Sequence, residues 1–312
     1  MTSPENSPCA GMLACVGDLM ADILVTAAKP ADGMADGIYI RSGGSAANVA
    51  VWARRAGMPS AWLGAVGTDA AADMLLTDLE IANVVAVPNF VAAAETGVVI
   101  SRVGRHANRV MQSARGAASV ALTTVQLDAL QGATGIHLTG YTLIGADGLE
   151  TAGRILETGR SSGACLSFDP SDRRIVEAAG VGSVRDLLRS FPMKVIFATR
   201  DEAVALTGER DPNQAANRLL ELAEVAIVKA GGLGSILASR GSIQKISARR
   251  VKAIDTTGAG DAFAGTWLGH ILMGADSKSA ANLATRAAAT VIQAVGARPP
   301  VGRGVNQERS TQ

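Results

Sequence analysis

The sequence predicts an α/β fold, a mainly parallel central sheet with helices on both faces and a small separate β sheet. Three observations lead there. Apolar runs of strand length alternate with helical patterns along most of the 312 residues, which is the order of βα units. Hydrophobic residues make up 48% of the chain but aromatics only 3%, so the core is to be built largely from Ala, Val, Leu and Ile. Two regions, about 24–40 and 96–111, break the alternation with strand-like patterns and no helix between them; they are expected to form the small sheet, inserted in a single domain spanning 1–312.

The elements follow in order. Residues 12–16 read as the first strand, and Gly17-Asp18-Leu19-Met20-Ala21-Asp22 would leave its carboxyl end, where open α/β sheets bind ligands; Asp18 reads as a turn residue. After Gly43-Gly44, a helix is expected over 45–56, stopped by Gly57 and Pro59. Strands follow at 61–66, 136–139, 165–168, 195–198 and 225–228, with helices at 70–80 and 212–223. Two further helices, 260–273 and 277–294, end the pattern. The second is nearly all small residues, as in a closely packed buried helix.

Charge and composition exclude several function classes. A net charge of +1 leaves no footprint for nucleic acid or an acidic membrane surface. Cys9, Cys15 and Cys165 are odd in number and lack ligand spacing, so neither a disulfide framework nor a zinc site is expected. There is no basic leader before an apolar run and no stretch near eighteen apolar residues, so a cytoplasmic location is expected. A dinucleotide fingerprint does not follow the first strand, and no Gly-x-x-x-x-Gly-Lys-Ser/Thr string occurs.

The chemistry concentrates in Asp255-Thr256-Thr257-Gly258-Ala259-Gly260-Asp261-Ala262-Phe263. A glycine-rich turn running into a helix offers backbone N–H groups without intrahelical partners at the positive end of the dipole, so Gly258, Ala259 and Gly260 can close on a phosphate. Asp261, in the first turn, is placed to take a proton from an attacking hydroxyl. Asp255 can cap the turn through the Thr backbone. Upstream, Gly43-Gly44 gives a backbone free to approach a ligand, and the amide of Asn48 can donate to one sugar hydroxyl and accept from another; an isolated Asn there would be a solvated or capping residue.

These two strings resemble the C-terminal and N-terminal signatures of the ribokinase-like (PfkB-type) carbohydrate kinases, and the resemblance covers roughly 12–300. It implies a ribokinase-like fold with a β lid over the sugar site, and a homodimer through that lid. The implied reaction is ATP-dependent phosphorylation of a hydroxymethyl group, with ATP and Mg²⁺ required. A nucleoside kinase of the same family, or a non-enzymatic sensor on the same scaffold, is the alternative. Asp22, Gly43, Gly44 and Asn48 would meet the small-molecule substrate. Thr199-Arg200-Asp201-Glu202 resembles the family's Asn-x-x-Glu element, with Thr199 replacing Asn and Glu202 acting on Mg²⁺ indirectly; the alternative for Glu202 is an exposed helix-start carboxylate. Lys229, Gly231, Gly232 and Gly234 would pack on ATP, with Thr285 where relatives often have an adenine-side Asn. Asp255, Thr257, Val291, Ala294 and Gly296 would hold a monovalent cation, K⁺. Ser167 to Arg173 resembles a stretch of fructokinases and 2-keto-3-deoxygluconate kinases, with Ser171 replacing Asn. Arg102, Arg105, Arg109 and Arg115 lie near the lid, facing either an acidic substrate or solvent.

Overall fold

The computed structural model describes residues 7–26, 37–103, 109–119 and 122–298. The N-terminal half runs β1 (Leu13–Val16), β2 (Met20–Thr26), β3 (Gly37–Gly43), α1 (Ser45–Arg55), β4 (Ser60–Val66), α2 (Ala70–Ile81), β5 (Val85–Phe90), β6 (Val98–Val103), β7 (Arg109–Ala114), α3 (Thr124–Ala129) and β8 (Gly135–Thr139). The chain continues through α4 (Gly148–Ser161), β9 (Cys165–Asp169), α5 (Arg173–Ala179), α6 (Val181–Arg189), β10 (Met193–Thr199), α7 (Arg200–Thr207), α8 (Pro212–Leu219) and β11 (Val225–Lys229). It closes with β12 (Ser235–Ser239), β13 (Ser242–Ile246), α9 (Ala259–Leu272) and α10 (Ser277–Val291).

Nine strands form one sheet in the order β13-β12-β11-β10-β9-β8-β1-β4-β5. From β11 to β5 every pairing is parallel, and β12 and β13 extend one edge as an antiparallel hairpin. Because successive side chains of a strand face opposite ways, Ala14, Val16, Ile196 and Ala198 enter one core layer. Leu13, Cys15, Val195 and Phe197 enter the other. Helices α3 to α8 cover the first layer, and α1, α2, α9 and α10 the second. Small residues bring α9 against α1: a Cβ on Gly265 would lie 2.3 Å from the Val49 carbonyl oxygen. That close crossing sets Asn48 of α1 opposite Asp261 of α9.

The second sheet has the order β3-β2-β6-β7, with β2 and β6 parallel at its centre. Its strands begin at Met20 and reach Gly43 on the first side, and span 98–103 and 109–114 on the second, wider than the expected 24–40 and shifted from 96–111. Asp22 therefore stands within β2, opposite Arg41, rather than in a loop after β1. Strand β5 and the β12–β13 hairpin extend the main sheet beyond the strands expected from the sequence. Among the described residues no helix is long and apolar enough to cross a membrane.

Candidate active site

A cleft of about 920 Å³ lies between the two sheets. Three adjacent parallel strands end at its floor in Asp169 (β9), Thr199 (β10) and Lys229 (β11), the carboxyl end where such sheets bind ligands. Lys229 Nζ donates to Asp169 Oδ2 at 2.6 Å in a largely buried pair. Burial opposes the lysine's charge, but Asp169 and Glu202 outweigh it and hold the ammonium above its ordinary value. Thr199 and Glu202 form a capping box that starts α7: the Glu202 carboxylate accepts from Thr199 N–H at 2.7 Å, and Thr199 Oγ1 accepts from Glu202 N–H at 3.4 Å. Thr199 thus works as a helix cap, and Glu202 is buried rather than exposed. Burial, then the neighbouring Asp169, push its carboxyl up.

Asp261 lies across the cleft in the first turn of α9. Gly258 caps this helix with φ +74°, the left-handed region that an L side chain avoids. The Ala259 N–H leans on the Thr256 carbonyl at 3.3 Å, whereas the N–H groups of Gly258, Gly260 and Asp261 make no backbone hydrogen bond; of the three donors expected from the sequence only Ala259 is engaged, and Asp261 adds one more. A Cβ on Gly260 would lie 3.2 Å from Lys229 Nζ, so the ammonium and these donors face the same space. The Asp261 oxygens accept from Ser45 Oγ and from Asn48 Nδ2, each at 2.8 Å. Burial pushes this carboxyl up to about 6, against the lowering effect of those two hydrogen bonds.

The substrate side is built around Gly43-Gly44. Gly44 takes φ +93°, and a Cβ there would lie 2.5 Å from the Asp18 carbonyl oxygen. The Asp22 carboxylate packs on Gly43, whose Cβ would fall 2.4 Å from Oδ2. Asp18 is not an exposed turn residue: it is buried and accepts from the Ala46 N–H at 3.4 Å, capping α1, whose own N-cap glycine offers no side chain. Burial pushes its carboxyl up. Arg115 lines the cleft with its guanidinium 4.3 Å from the Tyr141 ring centroid. The side chains of Arg102, Arg105 and Arg109 lie outside the described residues.

Other expected site residues are more dispersed. Gly231 and Gly232 form an exposed turn beyond Lys229, closed by Ala230 N–H donating to the Gly234 carbonyl at 2.7 Å. Thr285 lies in mid-α10 and donates to the Ala281 carbonyl, away from the residues that line the cleft. Asp255 gathers Thr257 and Gly296: its Oδ1 accepts from Thr257 N–H and Oγ1, its Oδ2 from Gly296 N–H. Val291 and Ala294 belong to the turn that ends α10, where Ala294 N–H donates to the Val291 carbonyl. Sequence reasoning missed Ser45, Arg298 and the Asp169–Lys229 pair. Asp169 and its Asx-type bond from Ser171 N–H fall in the noted stretch 167–173, whereas nothing local marks Arg298.

The chain resembles known kinases along most of its length. The chain is 30% identical over 257 residues to an uncharacterized sugar kinase of Archaeoglobus fulgidus, covering 81% of this chain and 98% of that one. It is 25% identical over 266 residues to a fructokinase of Solanum tuberosum (84% and 81% covered), and 28% identical over 264 residues to a 2-dehydro-3-deoxygluconokinase of Bacillus subtilis (81% of each). Among solved structures, adenosine kinase from Sinorhizobium meliloti superposes with a TM-score of 0.84 at 22% identity, over 93% of this chain and 96% of that one. Anopheles gambiae adenosine kinase, in complex with P1,P4-di(adenosine-5) tetraphosphate, gives 0.80 at 20% identity (92% and 97% covered). These likenesses establish the ribokinase-like α/β fold. A family model for pfkB family carbohydrate kinases matches residues 10–302, and the chain accordingly belongs to that family, as a sugar kinase that transfers phosphate to an alcohol group.

Proposed function

We propose that this sugar kinase moves the γ-phosphoryl group of ATP to a hydroxymethyl group of its sugar, with Asp261 as the base. The observation that carries the reading is the placement of Asp261: a half-buried carboxylate beside two open N–H donors, with Lys229 facing them. Each Asp261 oxygen spends one lone pair on Ser45 or Asn48 and keeps another for the substrate hydroxyl. As the hydroxyl oxygen bonds to phosphorus, its proton passes to Asp261 and the bridging oxygen leaves with ADP. The N–H groups of Gly260 and Asp261, with Lys229, stabilise charge on the transferring phosphoryl group. Mg²⁺ would neutralise the β/γ oxygens; Asp169 and Glu202 line the cleft as the hard oxygen donors it favours. Gly231, Gly232 and Gly234 would border the nucleotide beyond Lys229.

Asp22 and Asn48, at the Gly43-Gly44 junction, would hold the sugar hydroxyls. The polar residues Ser101, Gln112 and Ser113, which line the lid side of the cleft, suit a polyhydroxylated sugar better than a nucleoside base. A turnover screen with fructose, a keto-deoxy sugar acid, ribose and adenosine decides between the readings. Asp261→Asn is expected to lower kcat by roughly two to four orders of magnitude while sugar and ATP still bind. Near-normal kcat in that variant would sink the assignment of the base.

For K⁺, support comes from Asp255 drawing Thr257 and Gly296 together beside the anion-binding turn, with the Val291 and Ala294 carbonyls on the turn that leads to Gly296. A cation there would stiffen the turn that aims the N–H groups. Activity at constant ionic strength is expected to fall several-fold when tetramethylammonium replaces K⁺, and to lose this dependence in Asp255→Ala. Equal rates with the two cations would leave Asp255 as a turn cap only.

A further inference from the structure

Arg298 follows the last helix, yet its side chain is only 8% exposed. It meets three acceptors from two distant segments, the β3–α1 junction and α2. Nε donates to Asn48 Oδ1 at 2.8 Å, one terminal nitrogen to Asp78 Oδ2 at 2.7 Å, and the other to the Gly43 carbonyl at 3.2 Å. Asn48 is in turn engaged at both ends, since its Nδ2 donates to Asp261 Oδ2, and each end keeps one further position for a sugar hydroxyl. A carboxamide has one donor end and one acceptor end, and a guanidinium can only donate. With Arg298 in place, rotating the amide by half a turn would set its NH₂ against the guanidinium and its oxygen against the Asp261 carboxylate.

We infer that Arg298 is a positioning residue for phosphoryl transfer: its Nε–H pins the Asn48 oxygen, so that the amide's NH₂ is the end that faces Asp261 and favours the carboxylate. Without that pin the amide can turn and accept a hydrogen bond from protonated Asp261, which stabilises the wrong form of the base. The other charged or titratable groups around Asp261 are Asp169 on β9, Lys229 on β11, Tyr141 after β8 and Arg298 itself. None of the first three contacts the Asn48 amide, so their influence is the same in either amide orientation. The inference rests on Asp261 being the base, and its test separates the two.

Two variants isolate the amide from the charge. Arg298→Met keeps the bulk and removes every donor. Arg298→Gln keeps an N–H at the position of Nε and removes the guanidinium. The Asp261 carboxyl is titrated by NMR in the full-length, ligand-free protein, alongside the pH profile of kcat/KM. In Arg298→Met the titration midpoint and the acid limb are expected to rise by about one unit, a tenfold gain in proton affinity; in Arg298→Gln both should stay near wild type. An unmoved midpoint in Arg298→Met overturns the inference, and so does an equal rise in both variants, which would assign the effect to charge. Should Arg298→Met fail to fold, the wild-type Arg298 Nε–H carries the test. Slow exchange and a shift that tracks the Asp261 titration are expected, whereas exchange at the rate of an exposed arginine overturns it. Normal turnover in Asp261→Asn would remove the base reading and leave these titrations standing.

Discussion

Asp261 couples activity to stability through one proton. Its carboxyl is raised by burial from the ordinary 3.8 to about 6, so between those values the folded protein holds a proton that the unfolded chain has released. The stability this supplies is complete below about pH 4 and is lost as pH rises through about 6, while the carboxylate needed for catalysis appears over the same range. Asp261→Asn removes the titration. Its melting temperature relative to wild type should therefore climb between pH 4 and 7, by an amount equivalent to about 2–3 kcal/mol, and a difference that ignores pH would refute the shift. Asp261, Gly43, Gly44 and Asn48 could be picked out in the sequence because each belongs to a short string with its own local chemistry. Ser45, Lys229 with Asp169, and Arg298 act through partners brought from other segments by the fold, and no local spacing records those meetings.

The turn before α9 shows how much an element depends on one backbone conformation. Gly258 combines a left-handed φ with a close approach: a Cβ there would lie 2.5 Å from that of Ala297. Gly258→Ala is expected to cost roughly 2–4 kcal/mol, from the left-handed penalty plus the clash. The open N–H groups of Gly260 and Asp261 should be misaimed as well. Urea unfolding and kcat of the variant check both, and an unchanged midpoint would show that the turn tolerates another conformation. The parallel strands, α1, α9 and α10 were legible because runs of apolar residues and glycine stops coincide there. Strand β5 was not: it contains Pro88, which argues against a central strand and is tolerated here because β5 is the edge of the sheet. The β12–β13 hairpin is short and turns at Arg240-Gly241, with Gly241 at φ +77°, a turn cue that becomes decisive only when the flanking strands are known.

At the scale of the whole molecule, the described residues form two sheets that both line the cleft holding Asp261. On the lid sheet, Ile38 and Ile40 share a face of β3 and are 69% and 52% exposed; we propose that this face supports the homodimer implied by the family resemblance. A double substitution Ile38→Asp, Ile40→Asp is expected to yield monomers by analytical ultracentrifugation, and a wild type that sediments as a monomer at micromolar concentration would dispose of the proposal. That the fold class could be read from the sequence reflects the main sheet, whose strands and helices alternate along the chain. The lid was expected in outline but with shifted limits, since its strands lie half in water and carry weaker patterns. The central pairing of the lid, β2 with β6, joins residues such as Ile23 and Ile100 that α1, β4, α2 and β5 separate along the chain. Closing so long a loop is entropically costly until the intervening units have docked. We therefore expect this sheet to form late and to open by local unfolding while the main sheet stays intact, so that its amides exchange with solvent before those of the main sheet. Substrate entry and product escape can then be governed by the opening of this sheet, on a time scale set apart from the chemistry beneath it.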